Sequence, residues 1–295
     1  MRPASIVIRC PRSCCLAIEH EGGAGSMAAS LEESEATAEA GRGPTREAGR
    51  SADGESGDHG WWPYVLPYAT FLVLSEIGAR LPDAADPFVL LAKPTGVLAL
   101  IGWFWRRGAY PELRGENARI GWWEGFQDVL VGLVLTAVWV APYLWFPGLR
   151  PEPGGEFDPA MAGAAWVGTI LGLRLFGYAV VTPIFEELFI RSFVMRIADV
   201  WNGEGDFRDQ PIGRYSARSM IVTTVIFTMG HAPWEWWVCV PWIVLSNLWF
   251  YRRKSLPAIM LVHGVTNATL LALAVFGGDL FRNPDGTPFS FWFFV

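Results

Sequence analysis

Beyond Trp61 the chain is a succession of long apolar runs separated by short polar breaks, and residues 1–60 carry no such run. A bilayer core of about 30 Å takes roughly 20 apolar residues as helix. Seven stretches meet or approach that length: residues 62–81, 87–105, 127–147, 162–196, 219–232, 234–250 and 257–276. The pattern predicts an all-α, polytopic transmembrane helix bundle of about seven to eight spans. The fourth stretch is too long for one perpendicular span and is expected to break at Pro183. The fifth and sixth are short and meet at Pro233, so a tight helical hairpin is expected there. Pro63, Pro67 and Pro94 interrupt the first two runs, which membrane helices tolerate. Gly168 and Gly172 form a G-x-x-x-G, read as a mark of close helix packing.

Composition agrees with the pattern. Hydrophobic residues make up 52% of the 295 and charged residues only 18%, against about 25% in a typical soluble domain. The apolar excess excludes a single soluble globule. A net charge of −6, with Lys93 and Lys254 as the only lysines, excludes a nucleic-acid binder driven by positive charge. Four cysteines (Cys10, Cys14, Cys15, Cys239) make no disulfide framework, and Cys239, between Val238 and Val240, reads as core. Residues 1–60 hold six Arg against ten Asp and Glu. Rich in Gly, Ser, Ala and Glu, they cannot bury enough surface to offset their ordering entropy. Residues 1–60 are therefore expected to be a disordered acidic tail, and 61–295 the transmembrane domain.

Flanking charge orients the spans. Arg106, Arg107, Arg114 and Arg119 follow the second run, Arg208, Arg214 and Arg218 precede the fifth, and Arg252, Arg253 and Lys254 follow the sixth. The alternate loops are acidic or neutral. This predicts a multi-pass protein with its N-terminus in the cytoplasm, and the Arg-over-Lys bias suits a bacterial inner membrane.

An ionisable group in hydrocarbon costs a few kcal/mol or more, so each one needs a reason. Glu76 and Arg80, at i and i+4, read as a structural pair. If Arg174 and Arg196 mark the membrane edges, they enclose ~34 Å of helix, with residues 162–173 along the interface or re-entrant. Glu186 then lies at mid-membrane. Glu187 and Arg191 can pair along one helix, which leaves Glu186, about 100° round, free to point elsewhere. His231 ends the fifth run. His263 and Asn267 lie one turn apart on the seventh. Each motif alone has a bland explanation in packing or interhelical bonding. Polar clusters on three separate spans are better explained by one shared cavity. There is no Ser-His-Asp order and no H-E-x-x-H. What remains is water activation by a carboxylate with a neighbouring imidazole, with a second imidazole and an amide N–H for an oxyanion. Hydrolysis of an amide bond needs both.

The ordered set E-E-x-x-x-R (Glu186, Glu187, Arg191), F-x-x-x-H (Phe227, His231) and H-x-x-x-N (His263, Asn267) resembles the CPBP family of intramembrane metalloprotease-like proteins. That family groups the type II CAAX prenyl endopeptidases with bacteriocin-processing and Abi proteins. The run from Ser255 to Leu261 is also similar, and the likeness covers about residues 165–276. The region Tyr64–Phe71 resembles, more faintly, the CAAX-protease-related proteins found beside exosortases. The resemblance implies that Glu186 activates water with help from His231, and that His263 and Asn267 form the oxyanion site. It also implies that Glu187 and Arg191 hold the first motif and that Phe227 packs behind His231. Ser192 stands where the family often has Gly.

The resulting expectation is a membrane-embedded endopeptidase without a cofactor, acting on a membrane-anchored peptide or protein tail. Its partners would be that substrate and the lipid bilayer, with no nucleic acid. The cavity is expected to open toward the Arg-rich, cytoplasmic half. Two other readings stand beside it. One is a non-catalytic scaffold or immunity protein of the Abi type. The other is a zinc-dependent protease with Glu186, His231 and His263 as metal ligands.

Overall fold

Each predicted apolar run is helical in the structure, a computed structural model that describes residues 60–115, 118–152, 156–203, 205–278, 280–283 and 285–295. The expected disordered tail, apart from Gly60, lies outside the described residues. The helices are α1 (Trp62–Gly78), α2 (Asp86–Arg106), α3 (Trp122–Trp145), α4 (Ala164–Val200), α5 (Ala217–Met229), α6 (Trp236–Arg253) and α7 (Leu256–Phe276). Among the described residues there is no β-strand, only an isolated bridge between Arg282 and Pro288. The chain is an all-α integral membrane protein. Four stretches are long and apolar enough to cross a bilayer unaided: Asp83–Arg106, Trp122–Trp145, Ala164–Val200 and Leu256–Phe276. Helices α1, α5 and α6 fall short in length or apolarity.

The fourth run departs from expectation. It neither breaks at Pro183 nor re-enters: residues 164–200 form one continuous helical stretch. Proline lacks an N–H and its ring crowds the carbonyl one turn earlier. Here the preceding turn is π-helical over Phe176–Val181, and a second π segment covers Leu188–Val194. Wider turns relieve the clash and leave carbonyls free for partners on other helices. Two of these carbonyls face α7. The oxygen of Ala179 would lie 2.7 Å from a Cβ at Gly264, so only glycine lets the two backbones approach this closely. The oxygen of Tyr178 accepts a 2.8 Å bond from Asn267 Nδ2.

The G-x-x-x-G reading is also corrected. A Cβ at Gly168 or Gly172 would meet nothing within 4 Å, because this end of α4 lies on the periphery of the bundle. Close packing occurs instead at Gly132 on α3, where a Cβ would stand 2.7 Å from Val265 and 2.8 Å from the carbonyl oxygen of Val262. Thr266 Oγ1 donates to the Gly132 oxygen at 3.2 Å, tying α3 to α7.

The Pro233 hairpin forms as expected, with α5 and α6 joined by residues 230–235. Ser216 caps α5, its hydroxyl accepting from the Ser219 N–H at 2.9 Å. Helix α5 has 13 residues and is therefore only ~19 Å long. Its end leaves a hollow in the bundle. Residues 289–295 close over that end: Phe289, Phe291 and Phe294 are buried, Tyr178 Oη donates to the Phe294 oxygen at 2.8 Å, and Tyr143 Oη to the Trp234 oxygen at 3.0 Å.

Buried charges fasten the Arg-rich end. Asp128 is fully buried on α3 and accepts from Arg253 Nε at 3.0 Å and Trp249 Nε1 at 2.8 Å on α6. Glu112 accepts from Ser192 Oγ and from Tyr64 Oη and pairs with Arg196. The hydroxyl that Ser192 brings in place of a glycine is therefore used to hold the loop before α3. Glu76 and Arg80 pair on the surface at 2.9 Å, and Cys239 is a buried free thiol.

Candidate active site

The pair at the centre of α4 divides its labour. Glu187 turns inward and is wholly buried, as is Arg191 four residues on. Arg191 Nη1 lies 2.7 Å from Glu187 Oε2 and donates to Oε1 at 2.9 Å. The guanidinium then crosses to α6, where Nη2 donates to Ser246 Oγ at 2.7 Å. It stands 5.9 Å and 5.7 Å from the rings of Phe227 and Trp242. The predicted intrahelical pair is thus also a bridge between helices. It reaches α7 as well, because His263 Nδ1 donates to Glu187 Oε1 at 2.8 Å. That bond settles the orientation of the imidazole and leaves Nε2 facing the other way.

Nε2 of His263 faces Glu186. Its distance to Glu186 Oε2 is 3.8 Å, too long for a direct bond and short enough for one water to bridge. Glu186 keeps 17% of its side chain accessible, against none for Glu187. The 100° between adjacent residues on a helix produces this split: one carboxylate goes into the network and the other into a cavity.

His231, at the end of α5, is held differently. Its Nδ1 bonds the Phe227 oxygen at 2.9 Å, and its ring lies 4.4 Å from that of Phe227. Phe227 in turn stacks on Trp242 at 5.1 Å, so the aromatic packing behind His231 is as expected. No hydrogen bond or ion pair joins His231 to Glu186 among the described residues, and His263 Nε2 stands 3.8 Å from Glu186 Oε2. The Phe227 carbonyl holds Nδ1 of His231 and leaves its Nε2 free.

Glu186, His231, His263 and Asn267 nevertheless line one cavity of about 130 Å³, together with Thr182, Trp242 and Phe294. Three lining features escaped the sequence reading. Glu235, in the hairpin turn, points an oxygen to the Ala232 N–H at 3.0 Å. It had been counted within an apolar run, although an acid four residues after a histidine was a usable signal. Trp242 presents an indole N–H that is buried without a partner. Tyr178 contributes through its backbone, for which no sequence signal exists. The lining also takes in Glu235 of the hairpin turn and Phe294 of the C-terminal segment, at the end of the bundle opposite the Arg-rich loops.

The zinc reading needs Glu186, His231 and His263 to converge on one point. Among the described residues no three His, Cys, Asp or Glu side chains are placed to share a metal ion. Each imidazole spends Nδ1 on a protein oxygen and keeps Nε2 free, an arrangement that metal-bound histidines share.

Residues 170–269 match the family model described as Type II CAAX prenyl endopeptidase Rce1-like. The match covers about a third of the chain and contains all three motifs, and it bears out the family resemblance. That family is one of proteases, which points to CAAX-type intramembrane protease activity. No curated protein and no solved structure matches the chain.

Proposed function

We propose that this Rce1-like chain is an intramembrane endopeptidase that hydrolyses a peptide bond of a membrane-anchored peptide or protein tail. One observation carries the reading: a half-shielded carboxylate, two imidazoles and a carboxamide from three different helices line one cavity, and a buried ion pair behind it orients the imidazole nearest the carboxylate. Glu186 takes a proton from water held between its carboxylate and His263 Nε2. Hydroxide adds to the carbonyl of the scissile bond. Asn267 has two amide N–H groups, one given to the Tyr178 oxygen and the other available to the oxyanion. Glu186 returns its proton to the leaving nitrogen as the C–N bond breaks. His231, with Nδ1 spent on a carbonyl, offers Nε2 as a second proton acceptor in the same cavity.

The test is cleavage of a membrane-anchored reporter by the purified protein in the presence of a zinc chelator. Cleavage should persist after exhaustive chelation, because among the described residues no three His, Cys, Asp or Glu side chains are placed to share a metal ion. Loss of cleavage that added zinc restores would replace this mechanism with the metalloenzyme. An absence of cleavage under every condition would favour the scaffold.

The charge alternation supports a bacterial inner-membrane protein with its Arg-rich loops in the cytoplasm. Single cysteines at Arg252 and Ser290, both exposed, in a chain lacking its native cysteines, report the orientation. Arg252→Cys should label only after permeabilisation and Ser290→Cys before it. The cavity lining includes Glu235 of the hairpin turn and Phe294 of the C-terminal segment, on the Ser290 side, and the reverse labelling would invert the topology and place both on the cytoplasmic side.

A further inference from the structure

Glu235 is the one acid of the cavity wall that the proposed reaction does not use. It sits half-buried in the turn between α5 and α6 and lines the same cavity as Glu186. One of its oxygens closes the turn by accepting the Ala232 N–H at 3.0 Å. The Trp236 indole N–H also ties the turn, donating to the His231 oxygen at 3.1 Å. Neither bond needs a negative charge, since a glutamine caps a helix start in the same way. The charge of Glu235 is therefore surplus to the fold.

Nothing in the wall balances that charge. Among the described residues the carboxylate makes no other hydrogen bond and no ion pair. The cavity is lined by two acids and by no lysine or arginine. Arg191, outside the lining, is spent on Glu187 and Ser246. Helix α5 starts at the Arg-rich end and is only ~19 Å long, against ~30 Å of hydrocarbon, so the turn at its end stops short of the opposite face. A carboxylate held at such depth without a cation is costly, and such groups mark a substrate path. The aromatic lining fits the same visitor. Trp139 and Phe294 line the cavity, and among the described residues no cation stands over either ring. Such faces draw ammonium and guanidinium groups.

We propose that Glu235 selects the substrate by seating a lysine or arginine side chain that lies beside the bond attacked at Glu186. The proposal rests on the endopeptidase reading above and adds a substrate class to it: tails with a basic residue next to the cut. A cavity of about 130 Å³, taken as round, is about 6 Å across, which equals about two residues of extended chain. The basic residue thus stands within about two positions of the cleaved bond. Its ammonium or guanidinium supplies the counter-ion that the fold withholds from Glu235.

Two readouts test this, both in neutral detergent. The first is cleavage by the wild type of N-acylated peptides of Ala, Val and Ser that carry one Lys, moved residue by residue, or Met in its place. Acylation leaves the lysine as the only cation. Mass spectrometry of the products should find the cut within about two residues of the lysine wherever it stands. The lysine peptides should be cut with about 10–100-fold higher kcat/KM than the methionine peptide, the range for a hydrogen bond to a charged group. Glu235→Gln, which keeps the cap, and Glu235→Ser should each bring that ratio near one, and two variants guard against one that fails to fold. The second readout is binding of fluorescent versions of the peptides to the Glu186→Gln protein, where the lysine preference should persist and should vanish on adding Glu235→Gln. A cut that ignores the lysine, equal handling of lysine and methionine peptides, or a preference unmoved in both Glu235 variants overturns the subsite. A Glu235-dependent lysine preference in binding, with no peptide cut by the wild type, would sink the endopeptidase reading and support the subsite.

Discussion

Glu186→Gln should lower cleavage by about 10²–10⁴-fold, the usual worth of a positioned general base, with almost no change in thermal stability. The two halves of this expectation have separate causes. Activity falls because the amide cannot take a proton from water. Stability is spared because Glu186 makes no hydrogen bond among the described residues and stands 3.8 Å from His263 Nε2. Gln has nearly the same shape, so the cavity keeps its volume. Initial rates on a membrane-anchored reporter and a melting curve in the same detergent measure both. A wild-type rate would remove Glu186 from the mechanism. A collapse in stability would mean that the carboxylate serves packing, as a non-catalytic scaffold requires.

Arg191→Met should do the opposite and destabilise the protein by about 3–5 kcal/mol, the cost of leaving one member of a buried ion pair without the other. Glu187 would then be fully buried with only His263 as a polar partner, and Ser246 would lose its donor. Activity should fall with stability, because an unpaired Glu187 no longer fixes His263 Nε2 toward Glu186. Removing both charges, as Glu187→Gln with Arg191→Met, should recover most of the loss, and the double-mutant cycle isolates the coupling. If the single variant melts like the wild type, the network is not what holds α4, α6 and α7 together at this level.

The two neighbouring glutamates mark how far the sequence could be read. Their inequality was legible, because one has an arginine at i+4 and the other does not. Which imidazole would meet Glu186 was not legible. His263 is held there by the Glu187 carboxylate on α4, 76 positions away in the chain. The helical hairpin at Pro233 was readable from proline and run length. The continuity of α4 through Pro183 was not, because π-helical turns leave no signature in the hydrophobic pattern. Gly168 and Gly172 matched a packing motif yet meet nothing within 4 Å, whereas Gly132 and Gly264, in no packing motif, carry the close approaches. A spacing rule identifies a face of a helix, and only the neighbour decides whether that face is used.

The sequence by itself determined the all-α membrane class, the helical runs and the family likeness, and it nominated the set of Glu186, Glu187, Arg191, Phe227, His231, His263 and Asn267. These follow from local quantities: the length of apolar runs, the cost of a charge in hydrocarbon and the one-turn spacing of paired residues. The tertiary structure alone decided that Glu187 links Arg191 to His263 while Arg191 reaches Ser246, and that Asn267 is held by a freed carbonyl of a π-helical turn. Those contacts join residues dozens of positions apart, and they depend on crossing angles and helix lengths that no single segment encodes.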